Sequence, residues 1–443
     1  MISLFKQLFS DSSKIIILGF GKEGRSTYRL IRKHFSNMQL VIADSNTEVI
    51  NDALIKNDSL LEIIVGDNYL SNIIDFDLII KSPGVKINNP TPELASKITS
   101  QTDLFLQYYS SQTIGVTGTK GKSTTASLIK HFIVGNNKNV LLLGNIGVPA
   151  FDMADNIDSD TIIIYELSAH QLEYTHSSPH IAVLLNVFPE HLDYFDSYKS
   201  YENAKFNICK FQNEDDCLII HESLFAEYEI RKPFISNKSN SKSNNVIVVF
   251  DNNLRFNIEH TPLLGNHNIV NVNFALLSVN EVGADVDVAI KLLSSFKSLS
   301  HRLESVGEFG GVNFVNDSIS TVPESAIAAV KALKNVDTLI LGGFERGLDY
   351  FAMVKYLLET DIRNFIFLGK AGDRIYDIFK NSNKKKNLIK ASSMENVFSF
   401  VIDISRKGSI CLLSPAAASY DQFNNFEHRG DIFKMLARKL INL

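Results

Sequence analysis

Apolar runs of strand length alternate with helical patterns along almost the whole chain, and this alternation restricts the fold to parallel sheets joined by crossover helices. The class is α/β rather than a sandwich or a bundle. A first unit opens on Lys14-Ile15-Ile16-Ile17-Leu18, continues through predicted strands near 39–43, 62–65 and 77–80, and fades by about residue 105. A second carries predicted strands near 113–117, 140–143, 161–165 and 181–187, then a polar run from Ser236 to Asn245 with the character of a solvated loop. A third begins near Leu299, with predicted strands near 312–316, 337–341, 364–368 and 409–413 and a helix over Glu324–Leu333. At 443 residues the chain exceeds what one core usually serves, and the expected domains are 1–108, 109–298 and 299–443.

Residues 113–125, Thr-Ile-Gly-Val-Thr-Gly-Thr-Lys-Gly-Lys-Ser-Thr-Thr, join a β-branched strand to a helix through a loop suited to phosphates. Gly118 and Gly121 let the backbone turn tightly and aim N–H groups inward, Lys122 offers a charge to the β/γ-phosphates, and Ser123 brings a hydroxyl within reach of Mg²⁺. Thr119, Lys120 and Thr124 complete this ATP loop. It is a compact variant, because Val116 stands where the common pattern has a glycine. Leu128, Ile129, Phe132 and Ile133 make the following helix amphipathic. In the first unit, Gly19-Phe20-Gly21-Lys22-Glu23-Gly24 lies between a strand and a helix, with Asp44 about twenty residues on. That pattern suits a diphosphate, and UDP satisfies it as well as NAD does. An NAD(P)-dependent oxidoreductase is therefore the reading from a different class, although it leaves 113–125 unexplained. Ser82-Pro83-Gly84 falls at the same sheet edge.

Composition narrows the partners. With 44 basic and 49 acidic residues the net charge is −5, which offers no footprint for nucleic acid and no basic patch for a lipid surface. Small-molecule substrates are favoured. Cys209, Cys217 and Cys411 include no Cys-x-x-Cys pair and suit a reducing compartment as buried fillers. The first ten residues are too short and interrupted for a signal peptide, and no apolar run reaches membrane-spanning length. A cytoplasmic monomer without stable membrane association is expected.

In the second unit, polar residues end successive strands: Thr117, Asn145, Glu166, and Asn186 with His191. Open parallel sheets bind ligands at this edge. An acid that ends an apolar strand is often a solvated group or a cap; beside an ATP loop, Glu166 suits a hard cation. His191 and Asp193 share that ambiguity, and Lys205, within a predicted helix from Tyr201 to Lys210, would ordinarily be a surface residue. Asn268 and Asn271 stand three apart on one helical face, a spacing for an adenine edge or for simple capping. His301-Arg302 and Asn316-Asp317-Ser318 offer a guanidinium for phosphate and a carboxylate for ribose, or a surface ion pair. Ser414-Pro415-Ala416-Ala417-Ala418-Ser419, then Phe423, Phe426 and Arg429, form a small-residue loop or a plain turn.

Taken in order, these pieces closely resemble the Mur ligases, and among them the members that add glutamate. The resemblance spans nearly the whole chain. It rests on T-G-T-K-G-K-S-T at 117–124, G-N-I-G at 144–147, E-L-S-x-x-Q-L-E at 166–173, L-N-V-x-x-E-H-L-D at 185–193, Tyr201 with Ala204-Lys205, G-N-H-N-x-x-N at 265–271, H-R-L-E at 301–304, N-D-S at 316–318 and L-S-P-A-x-A-S-x-D-Q-F-x-x-F-E-x-R-G at 413–430. It implies three domains: a Rossmann-like N-terminal domain for a UDP-sugar, a central P-loop ATPase-like parallel-sheet domain, and a C-terminal Rossmann-like domain for glutamate and ATP. It also implies phosphorylation of the alanyl carboxylate of UDP-N-acetylmuramoyl-L-alanine by ATP, followed by attack of the glutamate amine.

By the same resemblance Lys122 steadies the transferring phosphoryl, Ser123 and Glu166 hold one Mg²⁺, and His191 holds a second with Lys205 in the place of a carbamylated lysine. Gly19, Phe20, Gly21, Ser82 and Asn145 fall to the UDP-sugar, Asn268 and Asn271 to adenine, Arg302 and Asp317 to phosphate and ribose. Thr321, Arg346, Ser414 and Phe423 fall to glutamate. Two departures stand out. Ile319 replaces a lysine usual in N-D-S-K-A-T-N, and Arg346 stands where a lysine is usual for the glutamate side chain. Arginine still grips a carboxylate with two parallel bonds. D-glutamate is expected, with L-glutamate and a folate-type polyglutamate ligase as the enzymatic alternatives.

Overall fold

A computed structural model describes residues 2–10, 12, 14–145, 147–235, 245–251, 255–256, 258, 261, 263, 265–382 and 384–440. The polar run predicted as a loop lies outside the described residues up to 244. Three sheets are present. The first contains β1 (Ile15–Leu18), β2 (Leu40–Asp44), β3 (Leu61–Val65), β4 (Leu78–Lys81) and β5 (Ile98–Thr99), all parallel, in the order β3-β2-β1-β4-β5. The second contains β6 (Thr113–Thr117), β7 (Val140–Gly144), β8 (Ile162–Glu166), β9 (Ile181–Leu184), β10 (Cys217–His221) and β11 (Asn245–Val249), again parallel, in the order β11-β10-β9-β6-β8-β7. Strand order reverses beside β1 and beside β6, the places where open α/β sheets leave a crevice for ligands.

The third sheet contains β12 (Glu304–Phe309), β13 (Val312–Asn316), β14 (Val336–Gly342), β15 (Asn364–Leu368), β16 (Asn387–Ala391) and β17 (Ile410–Leu413), ordered β12-β13-β17-β14-β15-β16. Its strands are parallel except β12, which runs antiparallel to β13. Leu339, Leu341, Phe365 and Phe367 face one apolar cluster, whereas Ile340, Ile366 and Leu368 face another. Apolar side chains that alternate between two covered faces explain the unbroken apolar runs Leu339–Leu341 in β14 and Phe365–Leu368 in β15.

Contacts divide the chain into two units, one of residues 1–259 with 270–294 and the other of residues 260–269 with 295–443. The first two sheets share one unit because they share one core. Phe105 meets the Tyr165 ring edge-on at 5.4 Å, Phe5 meets Phe151 at 5.4 Å, and all four belong to a single buried cluster. Arg29 and Lys33 add ion pairs to Asp152 and Asp155. None of this is visible as a strand or helix pattern.

Candidate active site

Two glycines make the phosphate-type loops possible. A Cβ on Gly24 would stand 2.0 Å from the Gly19 carbonyl oxygen, so only glycine lets helix Lys22–His34 start so close to the end of β1. Gly121 caps helix Lys122–Gly135 at φ +89°, and a Cβ there would lie 2.6 Å from the Asn271 carboxamide oxygen. Leu128, Ile129, Phe132 and Ile133 are buried beneath that helix as its pattern predicts.

The loop gathers two lysines. Lys122 Nζ donates to the carbonyls of Gly118 at 2.8 Å and Thr119 at 3.1 Å, and Lys205 Nζ donates to the same Gly118 carbonyl at 2.8 Å. Lys205 is only 1 % exposed, which corrects the surface position its helix suggests. Burial, then the charge of Lys122, holds its amine well below the usual lysine range. Its ammonium position also lies 4.8 Å from the Tyr201 ring centre, and the Tyr201 hydroxyl meets Thr119 Oγ1 at 3.1 Å. Lys120 pairs with Glu190 at 2.5 Å, and its N–H donates to Asn186. Thr124 is buried within the loop's helix.

Glu166 closes the other side. It is fully buried at the end of β8, and its Oε1 accepts from Ser123 Oγ at 3.1 Å and from Asn145 Nδ2 at 2.9 Å. Its Oε2 has no hydrogen-bond partner among the described residues. A buried carboxylate oxygen left unpaired beside a hydroxyl is an all-oxygen donor set that fits Mg²⁺. His191, in a left-handed conformation at φ 57°, is exposed; desolvation lowers its affinity for a proton, and Lys205 and Lys122 lower it further against Glu190 and Asp193.

A cleft of about 410 Å³ runs between the carboxyl edges of the first two sheets. Gly19, Gly21, Ser82 and Asn145 all line it, as do Glu23, Asp44 and Gln171. Phe20 does not: its ring is buried in the core under the Arg25 guanidinium, and what it contributes is an N–H donated to Asp44 Oδ2 at 2.6 Å. Asp44 thus closes the glycine loop upon itself.

The sequence left three residues unassigned here. Lys81, 3 % exposed, pairs with Glu173 at 3.2 Å and donates to the Tyr194 hydroxyl at 3.0 Å. It is the one charge in the strand run Leu78–Lys81, and that was its signal. His170, 5.0 Å from His191 between ring centres, is pushed down to about 4 by burial and then by His191, Lys81 and Lys205, so it is neutral at pH 7. Gln171 lies in the motif at 166–173 and donates to Glu23 at 2.7 Å.

In the other unit, Asp317 accepts from Ser320 Oγ at 2.6 Å, Ser414 Oγ at 2.8 Å and the Leu303 N–H at 3.2 Å. Burial still raises its carboxyl to about 6, against these bonds and Arg302. Ser414 is wholly buried. Arg346 is exposed and donates to the Thr321 carbonyl at 3.0 Å, which brings those two residues together, while Phe423 is half-buried nearby in sequence to Arg429. Arg429 donates to Ser318 Oγ and to the carbonyls of Ser318, Ala417 and Ala418, and so ties the loops after β13 and β17 to helix Phe426–Lys439. Asn268 and Asn271 are both buried on helix Asn266–Glu281.

A phosphate loop on a parallel sheet, a buried carboxylate with a free oxygen, and a neighbouring cleft at a second parallel sheet define a nucleotide-dependent α/β enzyme of several domains. Residues 116–279 match the Mur ligase middle domain. UDP-N-acetylmuramoylalanine–D-glutamate ligase from Elusimicrobium minutum is 31 % identical over 99 % of this chain and all of its own length. Its counterpart from Ruminiclostridium cellulolyticum is 32 % identical over 85 % of this chain and 86 % of its own. Among solved structures, MurF ligase from Thermotoga maritima in complex with ADP shares the fold, with a TM-score of 0.55 at 16 % identity over 96 % of this chain and 95 % of that one. The chain belongs to the Mur ligase family, in its D-glutamate-adding branch.

Proposed function

We propose that the protein is an ATP-dependent ligase that joins D-glutamate to UDP-N-acetylmuramoyl-L-alanine through an acyl phosphate. The observation that carries this reading is the convergence of Lys122 and Lys205 on the Gly118 carbonyl, in the same loop-and-helix whose Ser123 bonds the half-satisfied Glu166 carboxylate. Such a site neutralises charge and aligns reactants, which is most of what phosphoryl transfer asks of a protein. Lys122 releases its two carbonyls to steady the transferring phosphoryl, and the loop N–H groups of Gly118 to Thr124 cradle the remaining phosphates.

Ser123 and Glu166 would hold one Mg²⁺, and His191 with a carbamylated Lys205 a second; the ions supply neutralisation of phosphate oxygens. Lys205 suits that role because burial and the charge of Lys122 favour its neutral amine, and a neutral amine adds to CO₂, forming an N–C bond and losing a proton to leave an anionic carbamate. Gly19, Gly21, Ser82 and Asn145 orient the UDP-sugar in the cleft between the first two sheets, with Phe20 contributing only backbone. Asn268 and Asn271 serve adenine, Arg302 and Asp317 phosphate and ribose. Thr321, Arg346, Ser414 and Phe423 serve glutamate, with Arg346 as the group for its side-chain carboxylate. The working parts are 1–108, 109–298 and 299–443, and the protein acts as a cytoplasmic monomer; no helix among the described residues is long and apolar enough to cross a membrane.

Phosphate release measured with ATP, Mg²⁺ and UDP-N-acetylmuramoyl-L-alanine, run separately with D- and L-glutamate, tests this. Release is expected only when all components are present and with the D enantiomer. Release with neither enantiomer removes the proposal; release with L-glutamate alone overturns the stereochemistry.

A further inference from the structure

Glu23 is the second residue of helix Lys22–His34 and lines the cleft. Its Oε1 accepts the 2.7 Å bond from Gln171 Nε2, and its Oε2 is buried with no hydrogen-bond partner among the described residues. If the cleft holds a nucleotide diphosphate, as the proposed function has it, the phosphates take the Gly19–Gly24 loop and the positive end of this helix. An ionised Glu23, its Oε2 shielded from water, would then compete with a second anion for the same helix end. A neutral carboxylic acid removes the conflict. With Oε1 already used as an acceptor, its proton belongs on Oε2, the atom with no partner.

We propose that Glu23 is a specificity-determining residue of this cleft: it admits an anionic nucleotide sugar as a neutral acid and disfavours it as a carboxylate. Burial supports this by raising Glu23 to about 7, against the Gln171 bond and the charge of Lys81. The groups facing it are accounted for. Lys81 on β4 is partly neutralised by Glu173 at 3.2 Å, Tyr165 on β8 is uncharged because burial holds its phenol far above the usual range, and Lys22 and Asp44 line the same cleft with opposite signs. Ligand binding above pH 7 must therefore take up a proton.

Calorimetry of the full chain with UDP-N-acetylmuramoyl-L-alanine, from pH 6 to 8.5 in buffers of different ionisation enthalpy, reads that proton directly and needs no variant. The wild type is expected to weaken about tenfold per pH unit above 7 while taking up about one proton per site. Glu23→Gln, which keeps the shape and a donor, is expected to bind as the wild type does at pH 6, without proton uptake and without a pH trend. If wild type and Glu23→Gln share one pH trend, or if folded Glu23→Gln no longer binds, the inference fails while the ligase reading stands. If the wild type binds at no pH, the cleft is not a UDP-sugar site, and the inference falls with that assignment.

Discussion

At Glu166 two hydrogen bonds converge on Oε1 and none among the described residues reaches Oε2, the oxygen that the proposed function gives to Mg²⁺. Replacing Glu166 by Gln keeps the bond from Ser123 or Asn145 but removes the charge. Phosphate release is expected to fall about 10²- to 10³-fold, the range lost with one strong electrostatic contact in an active site, and the Mg²⁺ concentration for half-maximal rate is expected to rise. An unchanged Mg²⁺ titration would take Glu166 out of the cation site. Lys205 behaves differently, because what matters is whether its amine can lose its proton. Burial and Lys122 both push it that way. Arginine at 205 stays charged and forms no carbamate, so Lys205→Arg is expected to lose activity, and stripping bicarbonate from the buffer should slow the wild type but leave the variant's residual rate where it was.

Glu166 ends β8 and Lys205 lies on helix Tyr198–Lys210, and the phosphate loop that both face depends on a backbone conformation that side chains oppose. Gly121→Ala places a methyl 2.6 Å from Asn271 Oδ1 at φ +89°, which combines left-handed strain of about 1–2 kcal/mol with displacement of the Asn271 amide. Thermal unfolding should show the loss in stability, and ATP should no longer raise the melting temperature; a variant that melts and binds ATP like the wild type would deny the loop its dependence on glycine. Such elements were legible because the signals are local: β6, the glycine loop and the amphipathic helix occupy one continuous stretch. Lys205 was less so, yet Tyr201, Ala204, Lys205 and Ile208 recur at the spacing of one helix face and all are buried. The lysine sits on the apolar stripe, a sign that its charge type hides. Strands β5, β11, β12 and β16 are not among the predicted strands: Ile98–Thr99 is two residues long, Asn245–Val249 follows directly on the polar run, and Glu304–Phe309 and Asn387–Ala391 mix polar with apolar residues. β10, Cys217–His221, is a buried apolar run that the pattern contains and the strand assignment passed over.

At the scale of the whole chain, sheet count and cohesion diverge. Strand patterns give three sheets, while contacts give two units, because Phe5, Phe105, Phe151 and Tyr165 weld the first two sheets into one core. Cohesion of that kind depends on which apolar residues meet, and no period in the sequence records it. The same holds for the cleft, whose lining comes from loops more than a hundred residues apart, from Gly19 to Gln171. Stability should follow contact units rather than sheets. A nucleotide sugar bound by both sheets stabilises their common body by about 2.7 kcal/mol at a hundredfold excess over Kd. Hydrogen exchange with UDP-N-acetylmuramoyl-L-alanine is then expected to slow in β1 and β4 and, together with them, in β7 and β8, since opening either sheet breaks the shared core and releases the ligand. Slowing confined to residues 1–108 would mean that the first sheet binds the sugar nucleotide on its own and opens independently of the second, and that the buried aromatic contacts joining them contribute little to their cohesion.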